Sequence, residues 1–134
     1  MKPIIKQLLR ERLLTKDELD IRAISDFVNF AKEFLGIDDE VKIELAFKKT
    51  PDLRTTAYYD NGDKRVKIYV KDRAIIDVCR SIAHELVHHK QNISGAFEDA
   101  VDPGADGSKF ENEANSIAGV IIRKWGRVNP KIYD

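Results

Sequence analysis

All three histidines of this 134-residue chain fall in one six-residue stretch, His84-Glu85-Leu86-Val87-His88-His89. The stretch contains His84-Glu85-x-x-His88, a spacing that places two imidazoles on one face of a helix with a carboxylate between them. At about 100° per residue, His84 and His88 project within about 40° of each other, one turn apart. Both can therefore reach one metal ion. Glu85, about 100° round, can approach water activated at that ion without ligating the metal itself. This is the arrangement of a zinc hydrolase. The competing reading is an ordinary amphipathic helix, because the motif fixes only three positions.

The surrounding residues bear on that choice. A helix starting near Asp72, as N-cap, and running to about Gln91 places Ile75, Ile76, Val78, Cys79, Ile82, Ala83, Leu86 and Val87 on one apolar arc. Measured from His84, that arc runs from about 120° to about 300°. Asp77, Ser81, His84 and His88 lie together outside it, so the two histidines face a cleft at the edge of a packed helix. His89 falls at about 140°, on the edge of the arc, where it cannot share a metal with the other two; a packing or supporting role is expected. Cys79 lies within the arc and reads as a buried structural thiol.

Length suits one domain spanning residues 1–134. With 43% hydrophobic and 34% charged residues, the composition is that of a soluble globular protein. Lys and Arg (23) balance Asp and Glu (23), which gives no electrostatic reason to expect nucleic acid as a partner. No apolar run approaches the ~20 residues needed to span a bilayer, so no membrane partner is expected. The stretch Met1-Lys2-Pro3-Ile4-Ile5-Lys6 lacks the apolar core of a signal peptide, and a cytoplasmic setting is the default. A single cysteine excludes a disulfide framework and a cysteine-based zinc site.

Along the chain, residues 4–14 have the pattern of a short helix. A second helix begins at the capping box Thr15-Lys16-Asp17-Glu18, carries Ile24, Phe27, Val28, Ala31, Phe34 and Leu35 at helical spacing, and stops at Gly36. Val41, Ile43, Leu45 and Phe47 alternate with polar residues, which is a half-buried strand. Residues 55–59 and 66–70 flank Asp60-Asn61-Gly62-Asp63 and predict a β-hairpin, with Asn61-Gly62 as the turn signal. After Gln91 comes a long loop, Asn92 to Ser108, expected to be mobile and to border the metal cleft, with Phe97 and Val101 pinning its middle. Its Asp99, Asp102 and Asp106 do not have the spacing of a calcium loop. A last helix buries Phe110, Ala114, Ile117, Ala118, Ile121 and Trp125.

A catalytic zinc takes three protein ligands and keeps one position open. With no further histidine or second cysteine, the third ligand must be a carboxylate. Glu111 and Glu113 both flank the apolar stripe of the last helix, about 160° apart, and helical geometry favours Glu111 only modestly.

Glu111-x-x-Ala114-Asn115, together with the histidine motif, resembles the gluzincins, zinc peptidases with HExxH on one helix and a glutamate on a later one. It is similar to the third-ligand motif of the Ste24-like and ImmA/IrrE-like families. The likeness covers roughly residues 64–122. It implies that His84, His88 and Glu111 bind Zn2+, that Glu85 is the general base, and that Asn115 orients a ligating histidine from behind. It also implies an α+β fold, a minimal zincin-like domain: N-terminal helix or helices, a small mainly antiparallel sheet, the HExxH helix and a C-terminal ligand helix. The transmembrane helices of the Ste24-like enzymes and any appended DNA-binding domain are missing. The family's activity is zinc-dependent hydrolysis of a peptide or protein substrate, which would pair as an extended strand beside the motif helix, along residues 66–70. Tyr58, Tyr59, Tyr69, Arg123 and Arg127 are unranked candidates for stabilising the oxyanion. The alternative, from a different class, is a structural or interaction protein of zincin fold, such as a virion or regulatory component, with a non-catalytic zinc. Glu85 speaks against it, because a structural site has no use for that carboxylate.

Overall fold

The first described helix, α1 (Lys16–Leu35), forms where apolar residues recur every three or four positions. Ile24, Phe27 and Ala31 are its buried side chains. It ends as the glycine at its terminus dictates. Gly36 takes φ 69°, a left-handed conformation open to a residue without Cβ. Its N–H bonds the Glu33 carbonyl at 3.2 Å, and the Ile37 N–H bonds that of Lys32 at 2.9 Å. Two orphan carbonyls are thereby satisfied, and Ile37 is turned into the core. The computed structural model describes residues 16–48, 56–97 and 107–129; the helix expected over 4–14 lies outside them.

Three strands follow: β1 (Lys42–Ala46), β2 (Ala57–Asp60) and β3 (Arg65–Tyr69). The hairpin forms as predicted, but its turn works differently. Gly62 has no positive φ; Lys64 does, at 52°. The Asp60 carboxylate holds the turn by accepting the N–H groups of Gly62 (2.9 Å) and Asp63 (3.1 Å). The sheet is mixed, in the order β1-β3-β2, and corrects the expectation of a mainly antiparallel one. β2 is antiparallel to β3, whereas β1 pairs with β3 in parallel, Ile43 opposite Val66 and Leu45 opposite Ile68. The buried row Val66–Ile68 therefore lies on the central strand, which has a partner along each edge. An added peptide strand cannot pair with β3, contrary to the expectation for residues 66–70. The open edges among the described strands belong to β1 and β2.

The motif helix, α2 (Ile75–Ile93), starts later than expected. Its N-cap is Ala74, with no side-chain cap, and Asp72 instead takes φ 57° two residues earlier. Arg73 braces this start by donating to the carbonyls of Tyr69 (2.8 Å) and Asp77 (3.1 Å) and to Ser81 Oγ (2.8 Å). Gly95, at φ 82°, ends the helix as Gly36 ends α1, with the Ala96 N–H on the Gln91 carbonyl. α3 (Gly107–Val128) begins one residue before the predicted loop ends. Asn92 and Ile93 belong to α2, so the connection is shorter than Asn92–Ser108. Its residues 98–106, including Val101, lie outside the described ones. Phe97, as expected, meets the core, its ring edge-on to Phe110 at 5.0 Å.

One apolar core joins these elements. Val78, Cys79, Ile82, Ala83 and Leu86 of α2 sit between the sheet and the Ala118, Ile121 and Ile122 stripe of α3. Trp125 closes the end of the core against Phe27 (5.8 Å, edge-on) and Phe30 (5.1 Å). The result is an α+β arrangement of three described helices on a three-stranded sheet. None of these helices is long and apolar enough to cross a membrane.

Candidate metal centre

The core packing of α2 against α3 brings the face carrying His84 and His88 beside the first turns of α3. The two rings stand edge to face, with centroids 4.8 Å apart and Nε2 atoms 3.2 Å apart. The carboxylate of Glu111 spans both: Oε1 is 2.6 Å from His88 Nε2 and Oε2 is 3.0 Å from His84 Nε2. The side chains of His84 and His88 are 19% and 13% exposed, against 51% for Glu111, so the cluster opens to solvent on its glutamate side. His84, His88 and Glu111 can hold a metal ion, since one ligand atom from each lies within 4.8 Å of the others.

Glu85 is buried beside this cluster, and its side chain makes no hydrogen bond among the described residues. Burial disfavours its charged form and pushes its pKa up to about 7; nearby His88 opposes this rise and the Glu111 carboxylate adds to it. A carboxyl poised there is suited to taking and releasing a proton near neutrality.

The two carboxylates left open by helical spacing are separated by their partners. Glu111 meets the histidines, while Glu113 Oε1 accepts from Gln91 Nε2 at 2.9 Å. The expected role of Asn115 is corrected. It is exposed and makes no side-chain hydrogen bond among the described residues. The partner of His88 Nδ1 is Gln91 Oε1, at 2.8 Å. Gln91 is three residues beyond His88 on the same helix, and that spacing, which places two side chains together, is the signal in the sequence that points to it.

His89 points about 100° round α2 from His88 and is fully buried. Its Nε2–H donates to Asp39, 3.1 Å from Oδ2, and its Nδ1 accepts from the Tyr59 hydroxyl at 2.7 Å. Asn92 Nδ2 donates to that hydroxyl oxygen (3.0 Å) and to the Asn61 carbonyl (3.2 Å). Partial desolvation of Asp39 pushes its pKa up, but the hydrogen bond from His89 leads the opposing effects, which together hold the carboxyl below its ordinary value. The chain therefore uses His89 to tie α2 to β2 and to the segment after α1. No local pattern announces Asp39, which lies 50 residues away.

Of the oxyanion candidates, Tyr59 has its hydroxyl engaged by His89 and Asn92. Arg123 and Arg127 stand about 18 and 24 Å further along α3 than Glu111, too far to serve the same ion. Tyr58 and Tyr69 are half-buried on strands β2 and β3. Cys79 is buried, which pushes its thiol up to about 12 and removes it as a nucleophile near neutral pH.

Comparison of the chain with protein-family models, with curated proteins and with solved structures gave no match.

Proposed function

We propose that this chain is a small zinc peptidase of the gluzincin type, built on a minimal zincin-like domain. The observation that carries the reading is the convergence of Glu111 on both His84 and His88, with the buried Glu85 carboxyl beside them. The donor set suits zinc. Two ligand nitrogens at ~2.0–2.1 Å from a tetrahedral ion stand about 3.3 Å apart, close to the 3.2 Å between the two Nε2 atoms. Two imidazoles and one carboxylate form a three-ligand set that leaves a coordination position open, as in catalytic rather than structural sites.

Zinc, when bound, supplies a Lewis acid that polarises a peptide carbonyl and makes water more acidic. Glu85 takes the proton from the attacking water and passes it to the leaving amine, as a carboxyl with a pKa of about 7 can do in both directions. The exposed side of Glu111 gives substrate access. An extended peptide pairs with an open sheet edge; we assign it to β2, the outer strand that Tyr59 and Asn61 tie to α2. The cytoplasmic setting expected from the sequence belongs to the same proposal.

The test combines metal analysis with cleavage of a mixed peptide library followed by mass spectrometry. One zinc per chain and cleavage by the wild type are expected, with Glu85→Gln retaining zinc and losing about 10²–10⁴-fold in rate. Cleavage by Glu85→Gln at the wild-type rate overturns the mechanism. Stoichiometric zinc with no cleavage of any peptide replaces it with the non-catalytic reading.

A further inference from the structure

We propose that Gln91 is the positioning residue of this centre. It holds His88 with its proton on Nδ1 and fastens the Glu111-bearing turn of α3 to the same imidazole. The inference deepens the metal reading above and rests on it for its function, but its structural core can be judged without metal.

Which way a buried amide points is settled by its partners. The Gln91 side chain, 3% exposed, lies between three groups: His88 Nδ1 at 2.8 Å, the Phe110 carbonyl oxygen at 3.2 Å and Glu113 Oε1 at 2.9 Å. A carbonyl and a carboxylate accept and do not donate. The amide NH2 must therefore face Phe110 and Glu113, which leaves Oε1 facing the imidazole. In the reverse orientation the amide oxygen would meet two other acceptors at hydrogen-bond distance, one of them the buried Phe110 carbonyl. Because Oε1 only accepts, His88 Nδ1 must carry a proton. In the neutral ring, that leaves Nε2 as the acceptor atom, and Nε2 is the atom that faces His84 and Glu111, where an ion would sit among the three donors.

The same amide reaches the third donor. Phe110 and Glu113 bracket Glu111 in sequence, so the two N–H bonds of Gln91 grip the turn that presents the carboxylate. One buried side chain on α2 thus orients a histidine of its own helix and registers the glutamate of the next. A residue that merely filled space would do neither. The hydrogen bond behind a ligating histidine sets ring orientation and basicity, and losing such a partner costs about 10–100-fold in metal affinity.

The experiment uses the full chain with ¹⁵N-labelled histidine, metal-free, at a pH where the imidazoles are neutral. Nitrogen chemical shifts then report which ring atom of His88 is protonated. Zinc affinity is measured separately by competition with a chromophoric chelator. Wild type is expected to show the Nδ1–H form. Gln91→Met, close in volume and without an acceptor, is expected to move His88 toward the Nε2–H form that Glu111 can accept, and to weaken zinc about 10–100-fold. Gln91→Glu alone sets two carboxylates against each other and should also weaken the site. The double variant Gln91→Glu/Glu113→Gln exchanges acid and amide across the helix pair; it should restore the Nδ1–H form and part of the affinity, the Phe110 carbonyl being left without its donor.

An Nε2–H form in wild type overturns the proposal. So does Gln91→Met with unchanged tautomer and affinity. Should Gln91→Met not fold, the double variant decides: loss of the Nδ1–H form there overturns it as well. A wild-type chain that shows Nδ1–H but binds no zinc refutes the metal reading and leaves the assigned amide contacts standing.

Discussion

On one side of the C-terminal half of α2, His84 and His88 turn their Nε2 atoms toward a half-exposed carboxylate; on the other, His89 is sealed between Asp39 and Tyr59. His88 and His89 are adjacent in the chain, and each has a partner on both ring nitrogens. They differ in what the partners leave available. His89 donates through Nε2 and accepts through Nδ1, two contacts with groups of separate elements that point away from each other. Nothing converges there. His88 spends Nδ1 on Gln91 and turns Nε2 to where two other donor atoms already point. A group able to hold a metal is distinguished here by donor atoms that converge on one point, whereas a structural histidine commits its two nitrogens to groups that point apart.

The largest test of this contrast is a pair of alanine substitutions. His88→Ala is expected to lower zinc affinity by more than about 100-fold, beyond the cost of a supporting contact, and to leave the fold in place. His89→Ala should do the reverse. It removes a fully buried ring and strands Asp39 and Tyr59, so unfolding in urea should reveal a loss of about 3 kcal/mol. The folded fraction should still bind zinc. If His89→Ala loses metal while keeping its stability, the two sides have been assigned the wrong way round.

A second comparison lies on α3. Glu111→Ala removes a donor and should weaken zinc at least tenfold, while Glu113→Ala removes only a partner of Gln91 and should cost a few-fold at most. Chelator competition reads both, and a larger loss in Glu113→Ala than in Glu111→Ala would mean that Glu113, not Glu111, reaches the ion in solution.

Within the buried side alone, Tyr59→Phe deletes one hydroxyl that serves His89 and Asn92. A loss of about 1 kcal/mol in unfolding free energy is expected, with zinc affinity unchanged. The smallest effect concerns acid. Asp39 has its pKa held below 3.8 in the folded chain, so it contributes stability that is present above that value and lost as pH falls through the folded one. Asp39→Asn should therefore lower stability at neutral pH and flatten the acid limb, its curve meeting that of the wild type once Asp39 is protonated in the folded chain. A difference of the same size at every pH would show that the packing of the His89 contact, not the carboxyl's titration, is what the substitution disturbs.

The parts of this molecule that the amino-acid sequence determines by itself are those governed by helical periodicity. His84 and His88 share a face because about 100° per residue puts them there, and the same arithmetic turns His89 toward the core. Gly36 ends α1 because a left-handed residue is needed at that point, and the stripe of Phe110, Ala114, Ala118 and Ile121 packs because its spacing permits nothing else. The hairpin is equally visible in its turn residues. Gln91, three residues past His88, lies within reach of the same periodicity, whereas the family resemblance pointed to Asn115 instead.

Other features were decided by how the elements met. Strand alternation marks β1 as a strand but carries no sign of its neighbour, so its parallel pairing with β3, and the loss of β3 as a docking edge, came only from packing. The choice of Glu111 over Glu113 depends on the rotation of α3 against α2, which both apolar stripes allow within a range. Asp39 finds His89 across 50 residues by no local rule. Local geometry repeats along the chain and can be counted from it. The meeting of distant side chains is set by the shapes of two packed surfaces, and neither surface exists until the chain has folded.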